Sequence, residues 1–384
     1  MRNRITIIGV ILLLQLGGWN CKQEYNPPAI KNTPHLLVVD GVVINGNDST
    51  VITLTRTRSL ADTTPAVVEL GAQVSILSPS GAIYPLVSEG NGRYEIDQLF
   101  LDTTQLYQLK IVTADGNEFR SQLDHVYAPP PIDSLNFTQD GSGVHVFVNT
   151  HDPTNSTRYY RWQYLDTWEY VSDYQAALIY VDSNNIVDVS QDYQNYFCYQ
   201  FEPSSSIQVA TTTQLSSDIV SEHELEVIPP GSEKISMLYS MLVNQYGVSV
   251  DAYNFWSNLK KNTEQLGSLF DVQPFTELGN ITCVNNPSVQ CIGFISFSSL
   301  QQKRIFISRN QVNPWNYIPY YGGDCALTYR EIHPDSLSYY FQPPGGPYFN
   351  SLIGTDNGLY ILNTTECVDC RQHGGTSIKP PYWP

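Results

Sequence analysis

Between residues 36 and 122, short runs of β-branched and aromatic residues alternate with compact turn clusters. The clusters are Asn45-Gly46-Asn47-Asp48, Pro79-Ser80-Gly81, Glu89-Gly90-Asn91-Gly92 and Asp115-Gly116-Asn117. Runs this short cannot sustain helices. They predict strands near 36–39, 51–57, 72–77, 83–87, 93–96, 106–113 and 118–122. Strands at this spacing read as a β-sandwich of roughly 90 residues, placed at 35–128. Ala128-Pro129-Pro130-Pro131 then ends the ladder, because proline has no amide hydrogen to donate. The composition agrees, since 26 tyrosines and a charged fraction of only 15% favour strands over helices.

Ahead of this body, Arg2 and Arg4 precede an apolar run over 5–16, followed by Gly17-Gly18-Trp19-Asn20-Cys21. A cationic start, an apolar segment and a small-residue exit make a secretory signal. The run is shorter than the ~20 residues a membrane span needs. Cys21 at the exit predicts a lipoprotein signal over 1–20, with lipidation of Cys21. The alternative is an ordinary signal with an incidental cysteine. Residues 21–34 hold three prolines and no periodicity, and are expected to act as a tether.

The remainder, 129–384, is expected to be a larger β-rich domain. Strand patterns recur at 134–137, 144–149 and 159–164, more weakly at 208–212 and 225–228, then at 234–246. Tyr160, Trp162 and Tyr164 fall on one side of their strand. One helix is predicted near 250–266. Ser249 serves as its N-cap, and Ala252, Phe255, Trp256 and Leu259 form an apolar stripe that packs on a sandwich. Runs at 293–298 and 304–308 are expected to pair with each other.

Seven cysteines occur. With Cys21 lipidated, Cys198, Cys283, Cys291, Cys325, Cys367 and Cys370 remain, an even set that suits an oxidising compartment. Cys283 and Cys291 flank Asn285-Asn286-Pro287, which predicts a bridge across one hairpin. Cys325 with Cys370 or Cys367 is the next pairing. Cys367-x-x-Cys370 with His373 invites a zinc or redox reading. Arg371 stands where haem attachment would need histidine, and an irregular tail is not the setting of a thioredoxin motif. Disulfides are the favoured reading.

The Gly92-Arg93-Tyr94 and Tyr107-Gln-Leu109-Lys-Ile111 pattern resembles the immunoglobulin-like modules of secreted bacterial proteins. A longer resemblance runs through Leu37-Val38-Val39-Asp40-Gly41, Tyr239-Ser-Met-Leu-Val-Asn-Gln-Tyr246, Ala252-Tyr-Asn-Phe-Trp256, Leu269-Phe-Asp-Val-Gln-Pro274, Gly279-Asn280-Ile281 and Cys367-Val-Asp-Cys370. In these the chain resembles a Bacteroidota outer-membrane lipoprotein family catalogued as domain of unknown function 4249. The resemblance implies a two-part β-rich fold at the outer membrane and a TonB-dependent receptor as partner. It brings no catalytic residues. The fold expected is therefore mainly β: an N-terminal immunoglobulin-like β-sandwich, then a larger β-rich domain with one packed helix.

A net charge of −17 argues against nucleic acid, whose phosphates would be repelled, and leaves attachment to the membrane to the lipid anchor. His223-Glu224-Leu225-Glu226 lacks the second histidine of a zinc protease and reads as a solvated acidic loop. Asp182, Asn184 and Asp188 lack the spacing of a calcium loop. No nucleophile elbow or phosphate loop occurs, so no enzyme activity and no cofactor are expected. Trp315, Tyr320, Tyr321 and Tyr348, set among Gly, Pro and Asn, are the candidates for an exposed binding surface. The function expected is that of an accessory or binding lipoprotein in nutrient uptake, with a structural or adhesive envelope protein as the alternative.

Overall fold

The computed structural model describes residues 35–58, 67–182, 185–189, 195–264, 278–317, 325, 329–341 and 351–384. Cys21, Asn184, Tyr320, Tyr321 and Tyr348 lie outside them.

The first body is a β-sandwich. One layer runs through Leu37–Ile44, Thr50–Arg56, Arg93–Ile96 and Val87–Gly90. The other contains Gln73–Leu77, Leu106–Val112 and Glu118–Ser121. Alternation decides which face is inside: Ile52 and Leu54 from one layer meet Tyr107, Leu109 and Ile111 from the other. Tyr94 is buried, yet its hydroxyl accepts from Ala72 N at 3.0 Å and donates to Glu69 O at 3.2 Å, so no polar atom is stranded.

The boundary expected at residue 128 does not enclose this body. Ile281–Cys283 pairs with Glu118–Ser121, and Cys291–Ile292 and Phe297–Ser298 lie parallel to Leu37–Ile44. Phe297–Ser298 is also the link to Asp124–Tyr127, so the segment stitches the two layers together. The reason is open ladder. Leu37–Ile44 and Glu118–Ser121 would otherwise present unpaired backbone groups, and Ile281, Cys283, Cys291, Ile295 and Phe297 supply apolar side chains to the same core. The expected pairing of 293–298 with 304–308 is corrected in the same way. Gln301–Ser308 pairs instead with Leu238–Gly247. Two glycines permit the close return: a Cβ on Gly293 (φ +147°) would collide with Val39 O, and one on Gly279 (φ +97°) with Gly293 O.

The second body is a further sandwich. Ile132–Asp140, Gly143–Asp152 and Asp218–Ile228 form one sheet. Tyr159–Val171 pairs with Leu238–Gly247, which pairs with Gln301–Ser308. Its other edge carries Phe197–Pro203 and then Gln208–Thr211. Three strands facing five, with Phe197–Pro203 and Gln208–Thr211 sharing one edge, is an immunoglobulin-type arrangement whose fourth strand position has moved to the second sheet. Val144, Val146 and Val148 face Tyr160, Trp162, Tyr239, Met241 and Val243 across the core. Trp162 Nε1 donates to Gln245 Oε1 at 2.8 Å, and Gln245 Nε2 reaches Pro130 O at 2.7 Å, tying the core to the linker between the bodies.

The helix spans Val250–Glu264, and Ser249 Oγ caps it by accepting from Ala252 N at 3.1 Å. Ala252 and Phe255 pack on Val42 and Phe294 from the first body and on Tyr246 and Val248 from the second. The apolar stripe thus wedges the junction. A small sheet of Asn185–Asp188, Leu178–Asp182, Ser351–Asp356, Leu359–Leu362 and Arg330–Ile332 completes the described fold.

Candidate functional site

The second sandwich opens where Asp218–Ile228 and Gln208–Thr211, edge strands of its two sheets, approach each other. Strand Asp218–Ile228 slips register twice against Gly143–Asp152, near Glu222 and Leu225. Glu222 takes φ 49°, a value a non-glycine residue adopts rarely. Bulges of this kind re-aim side chains. Here they turn His223 and Glu226 toward the space between the sheets, so His-Glu-Leu-Glu is strand and not the solvated loop its polarity indicated.

The mouth is a cleft of about 510 Å³ lined by Tyr164, Ser206, Gln208, His223, Glu226 and Lys260, among others. Gln208 Nε2 donates to Leu225 O at 2.7 Å and to Ser206 Oγ at 3.1 Å, clasping the two edges. His223 stacks on Trp162 with centroids 4.7 Å apart. Burial, helped by the Lys260 ammonium, pushes its pKa down to about 4, so the ring is neutral at pH 7. Its Nε2 is buried and has no hydrogen-bond partner.

Behind Glu226 lies a charge cluster. Lys234 Nζ contacts Asp166 Oδ2 at 2.6 Å, Glu226 Oε1 at 2.8 Å and Glu202 Oε2 at 2.8 Å. Tyr239 OH lies 2.6 Å from Asp166 Oδ1 and 3.0 Å from Glu226 Oε2. Burial, then repulsion from Glu226, lifts Asp166 to about 7 against the opposing pull of Lys234 and Tyr239. Burial alone would lower Lys234, but Asp166 and Glu226 hold its ammonium well above the usual range. Carboxylate pairs that cleave glycosides stand roughly 5–10 Å apart with substrate between them. Asp166 is 1% exposed and enclosed by its partners, so it braces the cleft floor while Glu226 reaches the cleft.

The cysteines divide partly as expected, with Cys325 paired to one of its two expected partners. Cys198 bonds Cys370 and Cys325 bonds Cys367. Cys283 and Cys291 are free and buried, so the hairpin bridge expected between them is corrected. They sit on separate strands that pair with Glu118–Ser121 and Leu37–Ile44 and do not face each other across a turn. Burial pushes the Cys291 thiol up to about 12, which keeps it protonated and unreactive. Cys367 and Cys370 belong to different disulfides, and His373 Nε2 lies 2.9 Å from Glu366 O, which leaves no zinc set among them. Trp315, expected at a binding surface, is 4% exposed and sits in the second core with Nε1 donating to Ser232 O at 3.0 Å. Its indole is too large to leave in water when a core gap is within reach. Among the described residues, no group of three or more His, Cys, Asp or Glu is placed to hold a metal ion.

A family model described as Domain of unknown function (DUF4249) matches residues 22–304. The chain belongs to that family. The DUF4249 match covers the first body, both edges of the cleft, the helix and the returning strands, and it ends inside Gln301–Ser308. Both disulfides therefore draw on DUF4249 flanking sequence beyond 304. No curated protein matches the chain. Among solved structures, a two fibronectin type-III domain segment from chicken tenascin is similar at 13% identity, covering 57% of this chain and 92% of that one, with a TM-score of 0.16.

Proposed function

We propose that this chain is an exported, lipid-anchored binding protein of a Bacteroidota outer membrane, acting beside a TonB-dependent receptor in nutrient uptake. The observation that carries the reading is the cleft at the open edge of the second sandwich. Its lining is mainly hydrogen-bonding, through Ser206, Gln208, Glu226 and Lys260, as suits capture of a polar solute. The signal-like leader ending at Cys21 supports export and anchoring, and the two disulfides fit a compartment in which thiols oxidise. Purifying the native protein from detergent-solubilised outer membrane tests the partnership. Co-elution of a β-barrel receptor is expected, and recovery of the chain alone at every detergent strength would count decisively against it.

A second reading, a structural or adhesive envelope protein, draws on the first body. Ile83, Val87 and Phe100 are 65%, 63% and 66% exposed there, apolar side chains available to a partner surface. A deletion strain that loses surface attachment while keeping normal uptake would favour it.

A further inference from the structure

Arg161 faces away from the core of the second sandwich, beneath the helix. It is only 7% exposed, and among the described residues its guanidinium forms no hydrogen bond and no ion pair. The guanidinium lies over the ring of Trp256, with Cζ 3.8 Å from the ring centroid. That stacking satisfies the face of the guanidinium. It leaves the edge, with five N–H donors, unspent. Trp256 adds a second orphan: its Nε1 is buried and has no partner. Both groups only donate. Tyr246 and Asp40 pull on the guanidinium electrostatically, but neither is hydrogen-bonded to it. A buried cation without a hydrogen-bonded acceptor is the costly arrangement that folded proteins avoid unless something completes it.

From this juxtaposition we infer that the Arg161 guanidinium edge and the Trp256 indole N–H form a binding site for a small carboxylate. The chemistry selects that class. A planar fork matches two carboxylate oxygens in one plane, and the indole supplies a further donor to one of them. A phosphate dianion would bring more oxygens than these groups can satisfy. The inference goes beyond the tethered partnership proposed above and stands or falls without it.

The test uses the full chain in detergent, labelled with nitrogen-15, with the Trp256 indole N–H resonance assigned by its loss in Trp256→Phe. Titration with sodium acetate and with sodium succinate should move that resonance saturably, while sodium chloride at matched ionic strength leaves it in place. The affinity should fall at least tenfold in Arg161→Met, which keeps the alkyl stem and drops the fork. It should fall less in Arg161→Lys. The same carboxylates should raise the melting temperature of the parent chain and leave that of Arg161→Met unchanged. A resonance that ignores both carboxylates, or that moves equally in chloride, overturns the site in the parent chain alone, whether or not the variants fold. Inorganic phosphate binding as tightly as acetate overturns the assignment to carboxylates.

Discussion

Cys198 and Cys370 are bonded across a sequence separation of 172 residues, and the bond fastens the last stretch of chain to the second sandwich. Tyr170 OH donates to Cys370 O at 2.8 Å and accepts from Gly375 N at 3.1 Å, while Tyr199 and Thr376 exchange backbone hydrogen bonds. Beyond them Trp383 meets Tyr199 edge-on at 5.4 Å and Phe306 at 5.6 Å, and the Arg304 guanidinium lies 3.6 Å over Tyr382. A tail rich in Gly, Pro and Tyr is thereby held as a strap over the outer face of a sheet.

Replacing both Cys198 and Cys370 by serine should cost about 2–4 kcal/mol, the usual contribution of a native disulfide closing a long loop. The melting temperature reports the loss. Trypsin should then cut after Arg371 well before it attacks the sandwich, whereas the parent chain resists there.

Cys283 and Cys291 should behave as two inert thiols. Peptide mapping without reductant should find both alkylated only after denaturation, with the Cys198–Cys370 and Cys325–Cys367 peptides still linked. A Cys283–Cys291 cross-link in the purified protein would contradict the structure.

Stability should carry a titration centred on Asp166. Its carboxyl is raised from 3.8 to about 7, so across that interval the folded chain holds a proton the unfolded chain has released. The resulting stabilisation is complete below about pH 4 and is lost as pH rises through about 7. Asp166→Asn removes it, and urea melts between pH 4 and 8 should decline less steeply by up to ~1.4 kcal/mol per pH unit. An unaltered slope would place the proton elsewhere.

Gly293→Ala should destabilise by about 2–4 kcal/mol, because the new methyl group meets Val39 O where the returning segment joins Leu37–Ile44. Gly46→Ala is the control. Its φ of +144° nearly equals the +147° of Gly293, but nothing lies within 4 Å of its added carbon. The difference between the two urea midpoints isolates the collision from the backbone strain.

Much of this architecture was readable from side-chain period alone. Leu106–Val112 alternates with a period of two, and Val250–Glu264 repeats its apolar residues at helical spacing behind a serine cap; both lie close to where those patterns put them. The returning strands were not readable. Cys291–Ile292 and Phe297–Ser298 are two residues each, too short to show a period, and their partners lie far back in the chain. The cleft was hidden for a different reason. Bulges in Asp218–Ile228 break the alternation that would have marked His223 and Glu226 as inward, leaving a string of polar letters. Trp315 misled because its Asn and Pro neighbours describe a loop, and loops also deliver side chains to cores. Arg161 could have been noticed as a charge set between the core-facing Tyr160 and Trp162, but its burial depends on a helix nearly a hundred residues later.

The detour from the second sandwich back to the first bears on how the molecule takes a load. A pull on the leading segment reaches Leu37–Ile44 first, and that strand is gripped on one side by Thr50–Arg56 and on the other by Cys291–Ile292 and Phe297–Ser298. Those grips lie along the pull, so they must shear together and cannot peel one bond at a time. Because the gripping strands continue directly into Gln301–Ser308, tension passes into the second sandwich, and the two bodies hold or yield as one.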